Sequence, residues 1–308
     1  RFSLFAIITV AIIVTGIVLQ RAPFAAPLAL EPSLPRAASI ARAEILGPRV
    51  SNDIPFPEIT ARSAAVVDAA TGALLGEKEK DAVQPIASVT KLMTALVFLD
   101  TNPSWQEVIT MERSDNRAGG ALFVYPGEQL TLYDLFMTML VGSANNAAVA
   151  LARVTHLSPE AFADRMNERA QTMGLFSTHF TEPTGLDRGN VSSALDLVRL
   201  GWKAFFESSL REALTTKEHV FITTNTHVRH RVKTTDDLLS SHKDDYTIIG
   251  AKTGFTNEAG YTFLVEAQRG EQQVIVAVLG APTEEDRFHD ADTLIRWAFA
   301  RYQFSDKE

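Results

Sequence analysis

The chain has 308 residues, enough for one large or two modest domains, and its 46% hydrophobic content is ample for a packed core. A net charge of −8 speaks against a nucleic-acid surface, which needs clustered Lys and Arg. The absence of cysteine removes disulfides, thiol catalysis and Cys-ligated zinc together.

Phe2 to Leu19 is an uncharged apolar run close to the length that spans a bilayer. It is longer than a usual signal-peptide core, and no small-x-small site follows closely, since Ala41-Arg42-Ala43 lies far downstream. Residues 1–20 are therefore expected to be a transmembrane anchor (or an uncleaved signal), in preference to a cleaved signal peptide. From residue 21 to 55 the composition shifts to Ala and Pro without a sustained period, which predicts a linker.

A globular domain is expected over residues 56–304. Ser63 to Asp68, the turn Ala70-Thr71-Gly72 and a short run from Ala73 to Gly76 predict a β-hairpin. The apolar run behind Ser88 then opens a mostly helical stretch, with helices expected over Leu132–Leu140, Asn145–Val154, Glu160–Met173 and from Ser192-Ser193 through Phe206. Ser158-Pro159 supplies a cap and an N1 proline, and Gly174 a stop. Strand character returns at Val220–Thr224, Tyr246–Ala251, Tyr261–Ala267 and Val274–Leu279, with Arg269-Gly270-Glu271 as the turn between the last two. Asp286 to Tyr302 reads as a closing amphipathic helix. Strands at both ends with helices between them predict an α+β domain, one sheet built from both ends with an inserted helical lobe.

The chemistry begins at Ala87-Ser88-Val89-Thr90-Lys91. A serine three residues ahead of a lysine on a helix puts both side chains on one face. A hydroxyl becomes a useful nucleophile when an adjacent base takes its proton, and a lysine amine can be that base if burial or a nearby cation lowers its pKa. Spacing alone is a weak signal, and Ser240 with Lys243 repeats it in a polar stretch. Two further motifs single out Ser88: Ser143-Ala144-Asn145 after an apolar helix, and Lys252-Thr253-Gly254 before the last two strands. Ser-x-x-Lys, Ser-x-Asn and Lys-Thr-Gly in that order form the motif set of penicillin-binding proteins and serine β-lactamases. Ser114-Asp115-Asn116 also fits the middle motif, but its charged setting, Met-Glu-Arg before and Arg after, reads as solvated loop. His227 and His230 have no Asp or Glu at ligand spacing, so no metal site and no cofactor are expected.

Around these motifs, Ala161–Asn167, Met173-Gly174-Leu175, Thr178-His179-Phe180, Thr184-Gly185-Leu186 and Gly260-Tyr261 resemble the D-alanyl-D-alanine carboxypeptidase family, the low-molecular-mass penicillin-binding proteins. The resemblance runs from about Ile59 to Phe304. It implies a five-stranded antiparallel sheet with a helical lobe. It also implies a serine DD-peptidase on the extracytoplasmic side of a bacterial membrane, acting on peptidoglycan stem peptides and acylated by β-lactam antibiotics. Carried over by position, Ser88 is the nucleophile, Lys91 its base, and Ser143 and Asn145 relay protons and hold the substrate amide. Lys252 keeps the cleft positive and Lys91 neutral, and Thr253, next to Gly254, binds the substrate carboxylate. The backbone N–H groups of Ser88 and Phe255 form the oxyanion hole. Phe255 departs from a position that is often polar. Arg287 matches a place where some members set an arginine against the substrate carboxylate, and otherwise reads as a surface arginine in the acidic turn Glu284-Glu285-Asp286.

The expected activity is D-Ala-D-Ala carboxypeptidase, with DD-endopeptidase as the alternative. With the sequence ending six residues after Tyr302, the second β-domain and amphipathic membrane helix of many carboxypeptidase members are expected to be missing, a short form that resembles the endopeptidase-type members. A serine β-lactamase of class A would carry a Glu-x-x-Leu-Asn segment, and none is present. A non-catalytic wall-binding protein would tolerate loss of motifs, and all three are intact.

Overall fold

The computed structural model describes residues 47–117, 123–241 and 245–304. The run Phe2–Leu19 lies outside the described residues, as does Lys243. Among the described residues no helix is long and apolar enough to cross a membrane.

In chain order, β1 (Arg49–Val50), β2 (Ser63–Asp68), β3 (Leu74–Lys78) and β4 (Gln84–Pro85) lead through a 3-10 turn at Ala87–Val89 into α1 (Thr90–Leu99). The lobe follows: β5 (Val108–Thr110), β6 (Gln129–Thr131), α2 (Leu132–Val141), α3 (Asn145–Arg153), α4 (Pro159–Thr172), β7 (Val191–Ser192), α5 (Ala194–Phe206) and α6 (Ser208–Thr215). Next come the hairpin β8 (Glu218–Ile222) and β9 (Arg229–Lys233), and the single turn α7 (Asp237–Ser240). The last elements are β10 (Thr247–Thr256), β11 (Gly260–Arg269), β12 (Gln272–Ala281), α8 (Glu284–Arg301) and β13 (Tyr302–Gln303).

Five strands in the order β10-β11-β12-β2-β3, antiparallel throughout, form the central sheet, so the two ends of the domain do share one sheet. Its alternation of side chains separates two cores. Ala65, Val67, Leu264, Ile275, Ala277 and Leu279 face the helical lobe. Ala64, Val66, Phe263, Val265, Val274, Val276 and Val278 face the other way, onto α8. A sheet covered on both faces explains why β2 and β12 are near-continuous apolar runs with little polar alternation.

α1 is buried from Thr90 to Phe98, polar residues included. A helix this apolar on all sides belongs in the interior, and α1 packs against α2, α3, α4 and α5. Its start, where the chain leaves β4, is therefore fixed from every direction.

Three differences from the sequence reading stand out. The strand at Val220 does not join the main sheet but pairs with β9, which has no apolar run to announce it. Asp115 is not in a solvated loop: it is fully buried, and its carboxylate accepts from Arg153 Nε and Nη2 at 2.8 and 2.9 Å. The linker ends sooner than residue 55, because β1 pairs with β13 and the Asn52 amide donates to Ala300 O at 2.7 Å.

Candidate active site

The 3-10 turn at Ala87–Val89 presents Ser88 at the head of α1, and Ala87 takes a left-handed φ of 49° to make the bend. Ser143, between α2 and α3, sits at φ 56°. Non-glycine residues rarely adopt this region and keep it only where the surroundings hold them. Both serine motifs are thus on constrained bends at helix ends, while Lys252, Thr253 and Gly254 lie on the edge strand β10.

These elements meet at two lysines. Lys91 Nζ is 2.7 Å from Ser88 Oγ, 2.7 Å from Asn145 Oδ1 and 2.7 Å from the Thr184 carbonyl. Lys252 Nζ is 2.8 Å from Ser143 Oγ and 3.0 Å from the Thr253 carbonyl. Two of Lys91's neighbours, Asn145 Oδ1 and Thr184 O, can only accept. A neutral amine has two N–H donors for them and one lone pair left, which then faces the Ser88 hydroxyl. That arrangement can take the serine's proton directly.

Burial pushes the Lys91 amine down to about 7, with Glu182 opposing the shift. Burial also drives Lys252 well down, followed by repulsion from Lys91 and Arg287 and opposed by Asp236. What keeps Lys91 neutral is therefore removal from water, more than the second lysine to which the sequence reading gave that part.

β10 passes close against the nucleophile's turn. A Cβ on Gly254 would lie 2.4 Å from Thr262 Oγ1 and 3.0 Å from the Ser88 nitrogen, so only glycine admits this approach. The backbone after Gly254 is thereby set beside the Ser88 N–H, where two N–H groups can converge on a developing oxyanion. Phe255 is half exposed and its ring lies 4.3 Å from that of Tyr261, so the side chain forms a wall and leaves the backbone to the chemistry.

Thr253 Oγ1 is 2.5 Å from Thr235 Oγ1. Arg287 is not a surface arginine. It is 3% exposed, donates from Nη1 to Gly254 O at 3.2 Å and from Nη2 to Glu284 at 2.5 Å, and stands 4.6 Å from the Phe288 ring. Sequence reasoning missed Thr235 and Asp236, which pack beside β10 and follow no motif. Ser114-Asp115-Asn116 serves structure, holding α3 through Arg153. His230 meets Glu128 at 3.0 Å, a partner distant in sequence, and among the described residues no group of three or more His, Cys, Asp or Glu could hold a metal.

A family model described as D-alanyl-D-alanine carboxypeptidase matches residues 50–283. The chain belongs to that family. It is a serine DD-peptidase by descent, 34% identical over 262 residues to a D-alanyl-D-alanine endopeptidase of Pseudomonas aeruginosa, with 84% of each chain covered. It is 30% identical over 249 residues to the D-alanyl-D-alanine carboxypeptidase DacF of Bacillus subtilis, covering 79% of this chain and 63% of that protein. Among solved structures, the Streptomyces K15 DD-transpeptidase aligns with a TM-score of 0.75 at 28% identity, over 80% of this chain and all of the other. Its likeness extends the agreement from motifs to the whole α+β domain.

Proposed function

We propose that this DD-peptidase is a serine-type D-Ala-D-Ala carboxypeptidase acting on peptidoglycan stem peptides through an acyl-enzyme on Ser88. The observation that carries the acyl-enzyme, common to both activities of the family, is the Lys91 amine, buried and placed 2.7 Å from Ser88 Oγ with its other neighbours both acceptors. Lys91 takes the Ser88 proton as Oγ attacks the carbonyl of the penultimate D-Ala. The Ser88 and Phe255 N–H groups hold the oxyanion, at about 3 kcal/mol per donor. Collapse of the tetrahedral intermediate breaks the peptide bond, and the leaving amine takes the proton that Lys91 received. That proton is relayed through Ser143, which Lys252 touches, so that Lys91 is again neutral. Water then hydrolyses the ester. Thr253 receives the substrate carboxylate, with the buried Arg287 guanidinium supplying positive potential from behind the strand.

A penicillin offers the same carbonyl and carboxylate, so it should acylate Ser88. Intact-protein mass spectrometry should find a stable adduct that disappears in Ser88→Ala. An adduct surviving in Ser88→Ala, or rapid hydrolysis of the drug, would overturn the assignment. Crosslink cleavage is the second reading, favoured by the identity with relatives named as endopeptidases in Pseudomonas aeruginosa and Escherichia coli. Muropeptide digests separate the two: loss of one D-Ala marks a carboxypeptidase, and a split dimer an endopeptidase. The uncharged run Phe2–Leu19 supports an extracytoplasmic site of action at a bacterial membrane, which fractionation of cells would test.

A further inference from the structure

Thr184, whose carbonyl meets Lys91, sits in the turn between Glu182 and Asn190. No helix or strand holds that turn together. Its centre is the Glu182 carboxylate. Oε1 accepts from the backbone N–H of Gly185 at 2.6 Å, Leu186 at 3.0 Å and Asp187 at 3.4 Å, and from Asn190 Nδ2 at 2.6 Å. Oε2 accepts from the Thr184 N–H at 2.7 Å. The turn in turn grips the nucleophile's helix. Thr94 Oγ1 donates to Pro183 O at 2.7 Å, Lys91 meets Thr184 O, and the Ile86 N–H donates to Asn190 O at 3.1 Å. Gly185 lies so near Ala87 that a Cβ there would be 1.9 Å from its carbonyl oxygen.

We propose that Glu182 is the positioning residue of the base: its carboxylate gathers the 184–187 backbone so that the Thr184 carbonyl orients Lys91, and its charge is the counter-charge of that amine. This rests on the reading of Lys91 as the base. Lys252 of β10 is the cation next to Lys91, and Arg287 of α8 and Asp236 ahead of α7 act in turn on Lys252. Glu182 reaches Lys91 through Thr184, whose N–H donates to it and whose carbonyl meets the amine, and its charge raises the Lys91 pKa against burial. Both its oxygens already accept hydrogen bonds from the turn, which sets it apart from a base that activates water.

Glu182→Gln removes the charge and puts an amide N–H where an acceptor is needed. Glu182→Asp keeps the charge and draws it back by one methylene. The test is the rate of acylation by a fluorescent penicillin from pH 5 to 9, with Lys91→Arg as reference. In Glu182→Gln the plateau rate should fall about tenfold or more, the size of one lost charge-assisted bond. Its acid limb should also move to lower pH by on the order of half a unit or more, because an ammonium without its counter-charge loses its proton sooner. Glu182→Asp should lose plateau rate with the limb in place, and that result alone decides the matter if the glutamine variant does not fold. An unshifted limb in Glu182→Gln, an undiminished plateau in Glu182→Asp, or a longer-lived acyl-enzyme in either would overturn the proposal. The last would assign the carboxylate to deacylation. Normal acylation in Lys91→Arg would instead overturn the reading on which the proposal rests.

Discussion

On the Lys91 amine, burial and hydrogen bonding act on the same proton in opposite senses. Removal from water favours the neutral form, while acceptors at Asn145 and Thr184 would also suit an ammonium. With the amine pushed down to about 7, the neutral form predominates only above that pH. Acylation by a penicillin should therefore be nearly level at high pH and fall about tenfold per unit on the acid side. A stopped-flow pH profile whose limb lies near pH 9 or above would contradict the burial argument. Lys91→Arg should not acylate at any usable pH, since guanidinium does not deprotonate. Arg287 belongs to the same scale. A buried guanidinium against Gly254 O adds positive potential where a carboxylate docks, so Arg287→Ala should slow acylation by carboxylate-bearing peptides about ten- to a hundredfold. Peptides with that carboxylate amidated should change little; equal losses on both would mark the arginine as purely structural. Ser88, Lys91, Ser143, Asn145 and Lys252 were legible in the sequence because each belongs to a motif of fixed spacing. Glu182 was not, because all but one of its partners are backbone N–H groups, and the exception, the Asn190 amide, stands at no motif spacing.

Among the elements, helices and long strands were legible where apolar periodicity is strong, and the short pieces beside β10 were not. The segment running from Thr234 into α7 has no such periodicity, yet it places Thr235 on Thr253 and buries Asp236. The Asp236 Oδ1 accepts from the Leu238 N–H at 2.9 Å and so caps α7, while Oδ2 is buried without a hydrogen-bond partner. Burial pushes this carboxyl up to about 6, against the pull of the Leu239 and Leu238 N–H groups and Arg287. The folded chain then binds the proton more tightly than the unfolded chain, whose aspartate titrates near 4. Stability falls as pH rises from about 4 to about 6 and is constant above, by up to roughly 3 kcal/mol for this group alone. Asp236→Asn cannot ionise, so its stability relative to the parent should rise over that window and stay level beyond it. Urea midpoints measured from pH 4 to 7 would show this; a constant offset across the range would mean that Asp236 is already ionised at pH 4.

Across the whole molecule, the site and the clasp of the domain's two ends lie on opposite edges of one sheet. β10 is one edge and β3 the other. On the β3 side the segment Arg49–Phe56 binds the end of α8. β1 pairs with β13, the Ser51 and Asn52 N–H groups donate to Arg301 O at 2.8 and 3.1 Å, and Trp297 Nε1 donates to Ile54 O at 3.2 Å. The Phe56 ring packs edge-on against Trp297 at 5.1 Å, and Gly76 of β3 leaves room for both rings. Composition read this stretch as linker because proline is frequent and no period runs through it. What fixes it is pairing with residues some 250 positions later, which no local pattern reports. A chain beginning at Pro55 should therefore melt lower than one beginning at Gly47, as a two-residue strand pair and the exposed side-chain bonds at Asn52 are lost. About 1–2 kcal/mol is expected from bonds of this kind, a shift of roughly 2–8 °C for a domain of this size. The penicillin acylation rate at 25 °C should be the same in both, because three strands separate the clasp from β10. Equal melting temperatures would show that the segment packs without stabilising, and a slower acylation in the shorter chain would show that the clasp reaches the site through the sheet.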